Sequence, residues 1–236
     1  MNTTVNTDIP KVALVTGGSA GLGLALVRTL SSEGWQVVTD ARLGDRLRSA
    51  LAGFPVVGLP GDIRLPRHRK ALLEAVQQLG RLDLLVHNAS DLGPMQELAD
   101  APSFALADVF ATNVEAPWEL TRAALPLLRA SDGVLVSISS DAAVEHYETW
   151  GVYGASKAAL DHLTLTFGAE TGLAAYAVDP GDMRTDMHQQ AFPGEDISDR
   201  PLPETVVPHL LGLIDARPPS GRYRAADLPA LAGAAR

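Results

Sequence analysis

Short apolar runs alternate with helix-length segments along almost the entire chain, and no other feature narrows the accessible folds as far. The runs are Lys11–Thr16, Gln36–Asp40, Val56–Leu59, Leu82–Val86, Gly133–Ile138 and Ala174–Val178, each four to six residues long. Apolar runs of that length, bounded by turn residues, read as strands. Between them lie Leu22–Ser32, Pro66–Leu79, Pro102–Arg129 (with a break near Asn113), Val152–Thr171 and Pro203–Ala216, each long enough for a helix. Strands this apolar, separated by helices, belong to a parallel sheet covered on both faces. The expected fold class is α/β, a doubly wound parallel sheet.

A chain of 236 residues is enough for one large domain with a substantial core. No internal repeat, low-complexity tract or linker divides it, so residues 10–236 are expected to form one unit behind a flexible tail at residues 1–9. The irregular stretch Ala191–Pro208 holds four prolines and one glycine. It follows the sixth strand, on the side where open parallel sheets bind ligands. A lid over about residues 188–208 is one reading and a plain surface excursion the other.

Composition excludes several function classes. The formal net charge of −9 would repel a polyanion such as nucleic acid. The only local basic cluster, Arg64–Lys70, reads as a solvated helix face. With no cysteine there is no disulfide, thiol nucleophile or thiolate metal site. The first nine residues lack the apolar core of a signal peptide, and no run approaches the roughly 18 apolar residues that span a bilayer. A reducing cytoplasm is the expected location. The histidines show no metal-ligand spacing, Asp182 and Asp186 read as capping groups, and no metal is implied.

Two local patterns carry chemistry. Directly after the first strand, Thr16-Gly17-Gly18-Ser19-Ala20-Gly21-Leu22-Gly23 leads into a helix. Glycines allow a tight turn and a close backbone approach, and a helix N-terminus presents free N–H groups to a diphosphate. Further on, Tyr153 and Lys157 lie four residues apart on one helix face, with Ser140 thirteen positions upstream at a strand end. An ammonium group beside a phenol is expected to bring its pKa below the usual value of about 10. Ser139 is the rival of Ser140.

With both patterns in view, the chain resembles the classical short-chain dehydrogenase/reductase family over about Lys11 to Arg224. Asp62-Ile63 look like the family's adenine-contacting pair, and His87-Asn88-Ala89-Ser90 like a variant of its N-N-A-G segment. Asn113 matches the active-site asparagine of the middle helix. Pro180-Gly181 with Met183 and Thr185 resemble the segment lying along the nicotinamide. Ser220–Arg224 resembles the last strand, without the usual D-G-G, which makes the sheet Rossmann-like with about seven strands. The resemblance implies an NAD(P)-dependent oxidoreductase acting on a carbonyl or alcohol, with hydride passing to or from the nicotinamide. Tyr153 would be the general acid/base and Ser140 would hydrogen-bond the substrate oxygen. Lys157 would bind the nicotinamide ribose, and Asn113 would hold a water that relays protons. The cofactor contacts would come from Gly17, Ser19, Ala20, Gly21, Leu22, Gly23, Asp62, Ile63, Asn88, Ala89, Tyr153, Lys157, Pro180, Gly181, Met183 and Thr185.

At the end of the second strand Ala41 takes the position that selects the cofactor, with Arg42 next to it, a pairing that favours NADP(H). Asp40 would reach the ribose and favour NAD(H) if the strand end were shifted by one. Arg42 as a solvated partner of Asp45 is the bland alternative. Asp91, Leu92, Val144, His146, Tyr147, Trp150, Met187 and Phe192 fall where the family builds its substrate pocket, which suggests a bulky apolar carbonyl or alcohol. His146 reads equally as an exposed loop residue. The segments Val152–Phe167 and Trp118–Leu128 resemble the family's dimer-forming helices, so a homodimer or homotetramer is expected. The alternatives are a non-redox isomerase or dehydratase on the same fold and a non-catalytic nucleotide sensor.

Overall fold

The computed structural model describes residues 9–231; of the tail expected at residues 1–9, all but Ile9 lies outside the described residues. The strands are β1 (Val12–Val15), β2 (Gln36–Ala41), β3 (Val56–Pro60), β4 (Leu84–His87), β5 (Val134–Ile138), β6 (Ala174–Asp179) and β7 (Gly221–Arg224). Among the described residues they form one seven-stranded sheet, in the order β3-β2-β1-β4-β5-β6-β7. Every pairing is parallel. The chain thus starts in the middle of the sheet, builds outward to β3, and returns to build the other half. The order reverses between β1 and β4, and a crevice opens there beyond the strands' carboxyl ends.

The helices are α1 (Gly21–Ser32), α2 (Gly44–Ala50), α3 (Pro66–Leu79), α4 (Ala105–Phe110), α5 (Ala116–Ala130), α6 (Gly151–Thr171), α7 (Asp186–Ala191) and α8 (Val207–Ala216). Strand side chains alternate between faces, so one apolar strand feeds two cores. In β1, Ala13 and Val15 pack with Leu22, Leu26 and Leu30 of α1 and Leu210, Leu211 and Leu213 of α8. Val12 and Leu14 of the same strand face Leu72 and Val76 of α3 and Leu120, Ala124 and Leu128 of α5. That two-sided burial explains why the strands read as unbroken apolar runs.

The break expected near Asn113 is a single turn of π-helix, Ala111–Glu115, joining α4 to α5. An extra residue in the helical ladder re-aims the side chains at that point. Two short helices escape sequence reading. α2 buries only Leu47, and α7 buries no residue at all, so neither leaves a periodic apolar stripe. Part of the stretch expected to be irregular at about residues 188–208 is regular: its start is helical, Pro203–Thr205 form a 3-10 turn, and α8 begins at Val207. Irregular chain is confined to residues 192–202.

Candidate active site

The β1–α1 turn is held in shape from two directions. Gly17 takes φ of +74°, a left-handed conformation that favours glycine. Its N–H donates to Asp40 Oδ1 at 2.9 Å, and Gly18 N–H donates to the Asp40 carbonyl at 2.9 Å. From β4, Asn88 Nδ2 donates to the carbonyls of Thr16 (2.9 Å) and Gly17 (3.1 Å). Gly23 is needed for packing: a Cβ there would sit 2.3 Å from Asn88 Nδ2 and 2.4 Å from the Gly17 carbonyl. It does not line the cleft, unlike Gly17, Ser19, Ala20, Gly21 and Leu22.

The N-terminus of α1 has no side-chain cap at Ala20 and no acidic residue in its first turn. Its free N–H groups and positive dipole end are thus left for an anion from outside the helix. The cleft, of about 380 Å³, runs from this turn past Ala41, Arg42, Asp62, Ile63 and Ala89. It continues to Ser140, Tyr153, Lys157, Pro180, Gly181, Met183 and Thr185. These residues fit a dinucleotide: a phosphate-ready turn at one end and a titratable cluster at the other.

Asp40 is not available to a ribose. Only 2% exposed, it gives Oδ1 to Gly17 and Oδ2 to His68 Nε2 at 2.9 Å. The register that would let Asp40 select NAD(H) is therefore corrected: the strand runs to Ala41, and Asp40 points inward to brace the turn. Arg42 is exposed and forms no salt bridge with Asp45, which pairs with Arg48 instead. A second cation, Arg46 on α2, lines the same stretch of cleft and pairs with Asp186 of α7. Sequence reading passed over it because α2 itself was not recognised. The Asp62 carboxylate is clasped by Arg64, through Nε at 3.0 Å and Nη2 at 2.7 Å, and that bond lowers its pKa.

At the other end, Ser139 and Ser140 separate by direction. Ser139 turns into the interior and donates to Asp161 Oδ2 at 2.7 Å. Ser140 faces the cleft beside Tyr153, its Oγ donating to Asp141 Oδ1 at 3.0 Å and accepting from Ala142 N at 3.2 Å. Lys157, 2% exposed, donates to the Ile138 carbonyl at 2.8 Å and lies 5.5 Å from the centre of the Tyr153 ring.

The lysine-lowered phenol is not what this geometry holds. Burial pushes Tyr153 up to about 12, with the hydroxyls of Ser140 and Ser90 pulling the other way. Burial likewise brings Lys157 down to about 8. Removal from water shifts each group toward its neutral form and is the largest influence on both. Tyr153 is accordingly a protonated donor at neutral pH.

Asn113 is fully buried in the π-turn and acts as a clamp. Its Oδ1 accepts from Asp91 N (2.7 Å) and Ser90 Oγ (3.3 Å); its Nδ2 donates to Asp91 O (2.8 Å) and Ser156 Oγ (2.9 Å). The hydrogen-bonding positions of this side chain are thus taken by protein groups. It ties the loop after β4 to α6.

Of the expected substrate-pocket residues, Trp150, Met187 and Leu92 line the cleft. Asp91, Val144, His146, Tyr147 and Phe192 lie outside its lining. Asp91 folds back to cap Gly93 N, while Val144 and His146 are exposed. Tyr147 donates to Asp141 Oδ2 in the open, and Phe192 packs behind Trp150 with ring centres 5.9 Å apart. Their place is taken by His188, Gln190 and Ala191 of α7. Neither Asp182 nor Asp186 caps a helix by side chain: Thr185 Oγ1 caps α7 by accepting from His188 N. Among the described residues no cluster of His, Asp or Glu is placed to hold a metal ion. No helix there is long and apolar enough to cross a membrane.

Fold and cleft together define a dinucleotide-binding oxidoreductase of the α/β type. The short chain dehydrogenase family model matches residues 11–196, and the chain belongs to that family. It is 32% identical to the uncharacterized oxidoreductase YciK of Escherichia coli over 225 residues, 89% of each chain. An uncharacterized oxidoreductase of Schizosaccharomyces pombe is 32% identical over 197 residues, 78% of this chain and 79% of that one. Among solved structures, one described as a short chain dehydrogenase of Shigella flexneri complexed with NADP superimposes with a TM-score of 0.86. It shares 30% identity over 92% of this chain and 97% of its own.

Proposed function

We propose that this oxidoreductase is an NADPH-dependent reductase of bulky apolar ketones or aldehydes, or runs the reverse alcohol oxidation, with Tyr153 as general acid/base. One observation carries the reading: Ser140, Tyr153 and Lys157 line the same cleft as an uncapped helix N-terminus behind a glycine turn. When bound, the nicotinamide supplies or takes up the hydride. As a carbonyl carbon gains that hydride its oxygen gains charge, and Tyr153 delivers a proton there to complete the alcohol. Ser140 exchanges its bond to Asp141 for one to the same oxygen, stabilising the developing charge. Lys157 binds the ribose hydroxyls, and Trp150 and Met187 supply the apolar wall against which a bulky substrate packs.

Arg42 and Arg46 favour NADP(H) over NAD(H), because both cations line the stretch of cleft beside Ala41. The NADP complex of the Shigella flexneri relative supports the same choice. The test is absorbance at the reduced-nicotinamide band with a panel of ketones, aldehydes and secondary alcohols and both cofactors. Turnover is expected, with kcat/KM at least about tenfold higher for NADPH, since a charge-assisted hydrogen bond contributes about 1.5–3 kcal/mol. Substrate conversion without cofactor oxidation would instead indicate an isomerase or dehydratase. Binding without turnover of any kind would indicate a sensor.

A homodimer or homotetramer built on the outer faces of α5 and α6 belongs to the same proposal. Trp118 of α5 is 41% exposed there, with the Arg122 guanidinium 5.2 Å over its ring. Light scattering is expected to return a multiple of 24.9 kDa, and a strict monomer mass would refute the assembly.

A further inference from the structure

Behind the cleft, the second half of α6 and the edge strand β7 bring together Asp161 and Arg222, which the proposed chemistry does not use. Asp161 is 7% exposed. Its Oδ2 accepts from Ser139 Oγ at 2.7 Å and from Arg222 Nε at 3.1 Å, while its Oδ1 is buried without a hydrogen-bond partner among the described residues. Arg222 also donates Nη2 to the Ser140 carbonyl at 2.8 Å and stands 3.5 Å from Asp179 Oδ2. A buried carboxylate with an unpartnered oxygen is costly unless a second positive charge compensates it.

The same helix carries such a charge one turn away, at a separation longer than the 3.1 Å of the direct Arg222 pair. Asp161 follows Lys157 by four residues, so the two share a face of α6 one turn apart. Lys157 gives one N–H to the Ile138 carbonyl, and an ammonium group carries three. We propose that Asp161 is the buried counter-charge that keeps Lys157 cationic, with Ser139 and Arg222 holding the carboxylate in place. Asp161 is thus a positioning residue: it acts on the cleft through Lys157. The proposal rests on the reading of Lys157 given above. Tyr153, Asp141 and Asp179 line the same cleft as Lys157, Asp161 lies one turn along its helix, and Arg222 on β7 pairs with Asp161 and Asp179. Of these, Asp161 is the one that opposes the effect of burial on the ammonium, and Lys157 reciprocally favours the Asp161 carboxylate.

The chain has three lysines, Lys11, Lys70 and Lys157. In protein labelled with carbon-13 at lysine, the Cε resonance of Lys157 can therefore be followed against pH and assigned by its loss in Lys157→Arg. The midpoint in the native protein is expected near 8. In Asp161→Asn, which keeps shape and removes charge, burial acts unopposed and the midpoint should fall by about one pH unit. A folded Asp161→Asn protein with an unmoved midpoint overturns the proposal. Should that variant unfold, Asp161→Ser is judged by the same criterion. The titration needs neither cofactor nor substrate, so its failure is distinct from failure of the turnover assay, which would remove the reductase reading alone.

Discussion

Replacing Tyr153 by phenylalanine is expected to lower turnover by about 10²–10⁴-fold, the contribution of a positioned general acid, while NADPH affinity stays close to that of the native protein. The ring would keep its packing, since Tyr153 meets Trp150 edge-on with ring centres 5.8 Å apart and that contact does not involve the hydroxyl. What disappears is the proton donor. Among the described residues Tyr153 is the one phenol lining the cleft, and Ser140 in its proposed role hydrogen-bonds the substrate oxygen without giving up its proton. Steady-state rates at the reduced-nicotinamide band measure the first quantity and a fluorescence titration with NADPH the second. Turnover within about tenfold of native, well inside the range above, would remove Tyr153 from the acid role.

The second large effect is expected at Gly23, which does not line the cleft. Gly23→Ala forces a methyl group into a space where the Gly17 carbonyl lies 2.4 Å and Asn88 Nδ2 lies 2.3 Å from the new carbon. The carbonyl is backbone and cannot rotate away, and Asn88 is the brace that ties the turn to β4. Either α1 shifts outward or the turn opens, and both misplace the N–H groups at the helix N-terminus. Overpacking of this kind typically costs about 1–3 kcal/mol, a drop in Tm of about 2–12 °C for a chain of this size. Dinucleotide affinity should fall together with stability. Thermal unfolding and the NADPH titration check both, and native values of the two would show that Gly23 is not the packing contact described.

Sequence reading recovers β1–β6 and the long helices to within four residues at each end, because their signals are local. β1 must be apolar at every position to serve two cores, and α3 opens with a proline at its first turn. It misses α2 and α7, whose burial of one residue or none leaves no stripe to detect. The same blindness hid Arg46 and placed Phe192 in the pocket instead of behind Trp150.

Within the cleft, spacing along the chain identified Tyr153, Lys157 and the glycine turn, since one helix turn and one tight turn are short-range geometry. Which of two adjacent serine hydroxyls is engaged in the interior depended on Asp161, 22 residues away, which accepts from Ser139. That the Asp40 carboxylate is engaged within the protein depended on His68, a partner 28 residues along, on α3. The desolvation that lifts Tyr153 to about 12 depended on everything packed around it. Covalent neighbours set which face of an element a residue occupies. Hydrogen-bond partners and dielectric surroundings arise only once distant segments meet, and those govern which groups remain free to react.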